Sequence, residues 1–352
     1  MFINKHTGNI YDQQKTNRRL TILLVSVFIL YYIALGYGTD IFILGNDTFG
    51  LIRPATGNIP YATIVALLLA GIYTLYSFFR GDDIVLNSVK KIDRIWWDDQ
   101  SNRELIDVIK EVSTAAGVPM PSVYLVNDYD PNAFSTGWNP KNASIGVTTG
   151  LLQKLDREEL QAVIAHEMAH VRNYDTRLMT LMATLMGGSA LLFVYVQARW
   201  LQSLGMFRRM LFVGGVTVFF VVWIGMLVLA PLITRLLTLL IAHEREYQAD
   251  ATAAELTRNP AALVSALGKL DTFAGPTWSI NPAIGHLCVI SPMGKYEQVG
   301  EQSTFQRLFF KTHPPMEKRI EAMKEMGYMP KPGSTPSYKL QQPNPGITSH
   351  DN

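Results

Sequence analysis

Four uncharged apolar runs divide the chain: Leu20 to Tyr37, Tyr61 to Phe79, Leu178 to Val196 and Met210 to Ala230. Each approaches the roughly 20 residues that a helix needs to cross a bilayer. Between the second and third runs the pattern changes. Asn102 to Ala116 alternates apolar and polar positions at the helical period and is closed by Gly117 and Pro119, which predicts an amphipathic helix. Ser122 to Val126, Asn132 to Gly137 and Ala143 to Thr148 are short and rich in β-formers, and predict three strands. A second helix starts at Asp156, three residues before Glu159 in a capping-box pattern, with Leu160, Val163, Ile164 and Val171 as its apolar face. From Asp250 to Met329 the pattern predicts helices and loops. The tail, with Pro332, Pro336, Pro343 and Pro345 among polar residues, is expected to be disordered.

The first apolar run follows Lys15, Arg18 and Arg19, and Lys5 lies further upstream. No clean cleavage site follows, and a second run comes soon after, so an uncleaved anchor is expected. Only Arg53 lies between the first two runs, whereas Arg80, Lys90, Lys91 and Arg94 follow the second. The basic flanks place the N-terminus and the segment after Phe79 in the cytoplasm. The third and fourth runs are less regular. Arg199, Arg208 and Arg209 fall in their connecting loop, and Gly187, Gly188 and Ser189 interrupt the third. Run length still favours spans over loop charge. Trp96 and Trp97 suit a membrane-interface belt.

Composition narrows the chemistry. Charged residues are 17% and hydrophobic residues 48%, against a charged share of about 25% in soluble proteins. The net charge of +2 offers nothing for a nucleic acid. Cys288 is the single cysteine, so no internal disulfide can form and a cysteine-rich metal site is excluded.

His and carboxylates remain as metal ligands. His166 and His170 are four apart, so on the second helix they share a face and can reach one ion. Glu167 sits beside the first, where its carboxylate can take a proton from a zinc-activated water. A catalytic zinc needs a third protein ligand and one open position. The candidates are His6, His243, Glu244, Glu246, Asp250, His286, His313 and His350. Glu246 and Asp250, again four apart, suit one ligand and one partner that orients an imidazole. Asp175, five beyond His170, either orients that helix or is an ordinary helix-end carboxylate.

His166-Glu-Met-Ala-His170 together with Glu246-Tyr-Gln-Ala-Asp250 resembles the HtpX family of membrane gluzincins, relatives of the CAAX prenyl endopeptidases. Asn132-Ala-Phe-Ser-Thr-Gly137, Val147-Thr-Thr-Gly-Leu-Leu152 and Thr312-His-Pro-Pro315 with Arg319 extend the likeness, which covers about residues 20 to 325. The resemblance implies one zinc, held by His166, His170 and Glu246, with Glu167 as general base. It implies that His313 donates to the tetrahedral intermediate, that Arg319 supports it, and that Asp250 lies behind the ligands. It makes Asn132, Ala133 and Phe134 part of an edge strand to which a substrate backbone adds.

The expected fold is mainly α with a small β-sheet: a zincin-like catalytic domain joined to about four membrane helices. Residues 1–80 would form the first membrane region, 81–177 and 242–329 the two parts of the cytoplasmic protease, 178–241 the later apolar helices and 330–352 the tail. The function implied is a zinc endopeptidase of the cytoplasmic (inner) membrane, acting on membrane-protein or peptide substrates beside the lipid bilayer. A CAAX-type endopeptidase would carry more spans. A zinc-binding scaffold would fill all four metal positions, usually with cysteine.

Overall fold

The computed structural model describes residues 10–42, 44–50, 55–185, 245–273, 275–294 and 314–325. Helices α1 (Ile10–Phe42) and α2 (Tyr61–Asn87) form an antiparallel hairpin. Their stretches Gln14–Ile41 and Tyr61–Asn87 are the two helices, among the described residues, long and apolar enough to span a membrane. The carboxylate of Asp40, in the last turn of α1, accepts the backbone N–H groups of Ala62 (3.0 Å) and Thr63 (2.8 Å). It thereby caps the start of α2, where helical N–H groups lack partners. The third apolar run is described only as far as Leu185, and the fourth lies outside the described residues. The same holds for the tail.

After α2 the chain builds a four-stranded mixed sheet in the order β1-β2-β4-β3. Its strands are β1 (Ile92–Ile95), β2 (Ser122–Val126), β3 (Ala133–Gly137) and β4 (Ala143–Thr148). β1 pairs antiparallel with β2, β2 parallel with β4, and β3 antiparallel with β4, with Ala133 opposite Val147 and Phe134 opposite Gly146. A side chain at Gly146 would collide with the Phe134 ring, so glycine there lets that ring lie against the sheet.

Helix α3 (Arg103–Ala116) ends at Gly117 in the left-handed conformation. A short α4 (Thr149–Lys154) precedes α5 (Arg157–Arg172). The α5 start is a full capping box. Asp156 accepts from the Glu159 backbone (3.0 Å), and Glu159 accepts from the Asp156 backbone (2.9 Å). Glu159 also accepts from Ser265 Oγ (2.7 Å) and Lys269 Nζ (2.5 Å), both on α8 (Pro260–Thr272). Residues 175–185 form α6 and residues 245–257 form α7; the last described helix is α9 (Met316–Glu325).

One core joins α3, β4, α5 and α8 through Leu105, Ile109, Ile145, Ile164, Met168, Leu263 and Leu267. A second cluster packs Leu24 of α1 against Leu178, Leu181 and Leu185 of α6. The protein is thus mainly helical with a small mixed sheet, and α5 lies where the layers meet.

Candidate metal centre

α5 is buried along nearly its whole length, from Glu159 to Val171, including His166, Glu167 and His170. The two imidazole rings are 4.8 Å apart and nearly perpendicular. α7 brings Glu246 to them from far along the chain. Its Oε2 is 3.6 Å from His166 Nε2 and its Oε1 is 3.6 Å from His170 Nε2. One ligand atom from each of the three residues lies within 4.8 Å of the others. Both rings therefore turn Nε2 towards the same carboxylate.

The other ring nitrogens are held by carboxylates as well. His166 Nδ1 is 3.0 Å from Asp250 Oδ1, and His170 Nδ1 is 3.1 Å from Asp175 Oδ2. An imidazole that donates Nδ1–H to a carboxylate keeps Nε2 free to bind a cation, with its orientation fixed. Asp250 is held in turn by Arg319 of α9, through Nε (2.8 Å) and Nη2 (2.6 Å). Arg319 Nη1 lies 3.2 Å from Glu246 Oε2. This guanidinium is fully buried and offsets the acidic charge around it; the neighbouring carboxylates hold its pKa high against the opposing effect of burial.

The charges shape one another. Burial disfavours a charged His166, but its hydrogen bonds to Asp250 and Glu246 outweigh that and push its pKa up to about 9. Burial raises the pKa of Glu167, against His170, His166 and a hydrogen bond from Ser135. Burial would raise Asp250 too, yet Arg319 and His166 hold it below its ordinary value. Buried Glu167 Oε2 has no hydrogen-bond partner among the described residues. Two imidazoles, one carboxylate and an adjacent carboxylate with a spare oxygen form a donor set that fits a zinc ion with one open position.

His286 lies elsewhere, its Nε2 at 2.9 Å from the Met179 carbonyl. His313 lies outside the described residues, as do His6, His243, Glu244 and His350. Asn132, Ala133 and Phe134 are fully buried at the outer side of the sheet. Asn132 Nδ2 donates to the Ile290 carbonyl and to Thr277 Oγ1 (both 3.2 Å). Ala133 O accepts from Val289 N (2.9 Å), and Phe134 bridges to Cys288 in antiparallel fashion. At the far end, Gly137 N donates to Thr180 Oγ1 (3.2 Å). The edge is covered by the chain itself.

Sequence reasoning left Asp175 undecided, placed Ser135 in the expected edge strand without a role of its own, and overlooked Asn17. The five-residue step from His170 to Asp175 is a weak signal, because the α5–α6 turn decides where that carboxylate points. Nothing in the local sequence marks Asn17.

Residues 99–327 match the family model described as Peptidase family M48. A protease HtpX homolog of Caldanaerobacter subterraneus subsp. tengcongensis is 36% identical over 318 residues, covering 90% of this chain and 98% of that protein. One from Streptococcus thermophilus is 35% identical over 325 residues, covering 90% and 100%. One from Tropheryma whipplei is 40% identical over 290 residues, covering 82% and 93%. Among solved structures, S. mikatae Ste24p aligns with a TM-score of 0.41 at 16% identity, over 88% of this chain and 66% of that one, which is too distant to bear on the fold. The chain belongs to peptidase family M48 as one of its HtpX-type members, a membrane-associated metalloprotease that hydrolyses peptide bonds.

Proposed function

We propose that the protein is a zinc endopeptidase that cuts membrane proteins at sites facing the cytoplasm, close to the bilayer. The observation that carries this reading is the convergence of His166, His170 and Glu246 beside the buried carboxylate of Glu167. His166, His170 and Glu246 would hold the ion; bound zinc supplies Lewis-acid activation of water and of the scissile carbonyl. Glu167 accepts the proton of the attacking water and returns it to the departing amine. Asp250 and Asp175 fix the imidazoles, and Arg319 offsets the acidic charge behind them. His313, three residues before α9, would add a hydrogen bond to the tetrahedral intermediate.

Orientation is supported by the hairpin. The N-terminal end of α1 reaches the turn after α5, so the metal centre lies on the side of Lys15, Arg18 and Arg19. Basic flanks mark the cytoplasmic side. A site close to the bilayer fits membrane-protein substrates, and the HtpX resemblance suggests quality control as the role. Spans beyond α1 and α2 belong to the same proposal.

Recognition would use the outer edge of β3 at Asn132, Ala133 and Phe134, where backbone pairing tolerates many sequences. That edge is now taken by Cys288 and Val289, so an incoming strand has to displace them. Cys288 reports this step. Its buried thiol should alkylate faster when a non-cleavable peptide binds; an unchanged rate would count against the edge reading.

Replacing Glu167 by Gln is the test of catalysis. Cleavage of casein in detergent should fall by about two to four orders of magnitude while zinc stays bound. Wild-type activity in Glu167→Gln would remove the general-base role. Zinc bound by the wild type without turnover would favour a scaffold.

A further inference from the structure

Asn17 stands in a polar, basic stretch at the start of α1, ahead of Arg18 and Arg19, yet it is only 5% exposed. Its Nδ2 donates to the Asn173 carbonyl (2.9 Å) and to Asp175 Oδ1 (2.6 Å). One turn earlier, Gln14 Nε2 donates to the Arg172 carbonyl (3.2 Å). The first membrane helix thus grips the turn that joins α5 to α6. That turn contains Tyr174 at φ 60°, a left-handed conformation that a non-glycine residue holds only under constraint.

Asp175 is buried, and its two oxygens are divided. Oδ2 faces His170 Nδ1 at 3.1 Å, while Oδ1 takes Asn17 and lies 3.5 Å from Arg245 Nη1. A carboxylate that fixes an imidazole does so only if it is itself fixed. Asn17 uses an amide hydrogen for that purpose, and it belongs to a helix outside residues 99–327, the segment that matches the family model. We propose that Asn17 is a positioning residue of the metal centre: through Asp175 it sets the orientation of His170, so that the membrane anchor completes the zinc site. This rests on the reading of His166, His170 and Glu246 as zinc ligands.

Zinc release from the full-length protein in detergent, followed with a chromogenic chelator, tests the proposal without reference to cleavage. Asp175→Asn should speed release by about 10- to 100-fold. Asn17→Ala, one layer further out, should speed it by roughly 3- to 10-fold, scaled down from the same effect. The double variant should release zinc no faster than Asp175→Asn alone, because Asn17 acts through that carboxylate. Gln14→Ala, which removes the neighbouring bond to the turn and leaves Asp175 untouched, should behave as wild type. Release from Asn17→Ala at the wild-type rate would overturn the proposal. So would independent, multiplying effects in the double variant, or an equal acceleration by Gln14→Ala, which would show general loosening of α1. A wild type that holds no zinc would instead sink the metal reading itself, and this inference with it.

Discussion

Helices α2 and α5 invert each other. α2 is apolar and wears its hydrophobic side chains outside: Leu68, Ile72 and Phe79 are 59%, 64% and 70% exposed. α5 carries His166, Glu167, His170 and Glu159, and buries all four. In water both arrangements would be costly. α2 is reasonable if its surroundings are lipid, which solvates leucine as well as a protein core does. α5 is reasonable because its buried polar groups meet an opposite charge or a hydrogen-bond partner, with Glu167 Oε2 the exception among them. Exposure is thus a poor guide to role here; what matters is which solvent or partner each side chain meets.

The largest effect should come from breaking the buried side of this comparison. Arg319→Met removes the buried guanidinium that faces Asp250 and Glu246, leaving His166 as the cation closest to them. Losing one partner of a buried ionic network costs about 3–5 kcal/mol. Thermal unfolding of the metal-free protein should show it, and an unchanged midpoint would mean that the network contributes little.

The exposed side should respond next. Ile72→Arg puts a charge at mid-span of α2, with an expected insertion cost of roughly 2.5–3.5 kcal/mol. Tyr129→Arg, at a residue 77% exposed beside the sheet, should stay within about 0.5 kcal/mol. Membrane-extracted yield and unfolding in detergent would separate them. Equal tolerance at both positions would contradict a lipid-facing α2.

How much of this was legible follows from the same contrast. Periodicity marked α1, α2, α3, α5 and three strands, because each carries one consistent apolar pattern. β1 was missed: in Ile92-Asp-Arg-Ile95 two adjacent charges break the alternation, and an exposed sheet edge tolerates that. The four-residue spacings placed His166 with His170, and Glu246 with Asp250, on common helix faces. That the two faces meet depends on packing between α5 and α7, which spacing alone does not give. The resemblance supplied that link, and the structure brings the side chains together. Asn17 and the Cys288–Val289 cover on β3 were not legible, since both join segments more than 150 residues apart.

The smallest effect is a pH slope. In the metal-free protein, folding raises the His166 pKa from 6.5 to about 9. The folded state therefore binds more protons between those values, and stability falls as pH rises through them. One such proton contributes at most about 1.4 kcal/mol per pH unit. With zinc on its Nε2, the ring no longer takes up that proton, and this slope should vanish. Melting curves at pH 7 and 9 with and without chelator test the sign; a metal-free protein that gains stability over that window would contradict the assignment.

The central claim is that a carboxylate brought by α7 closes a zinc site begun on α5. Metal analysis of the purified protein and of Glu246→Ala tests it most directly. The account predicts one zinc per chain in the wild type and none retained by the variant after dialysis against a mild chelator. A zinc-free wild type, or a variant that keeps its zinc, would contradict it.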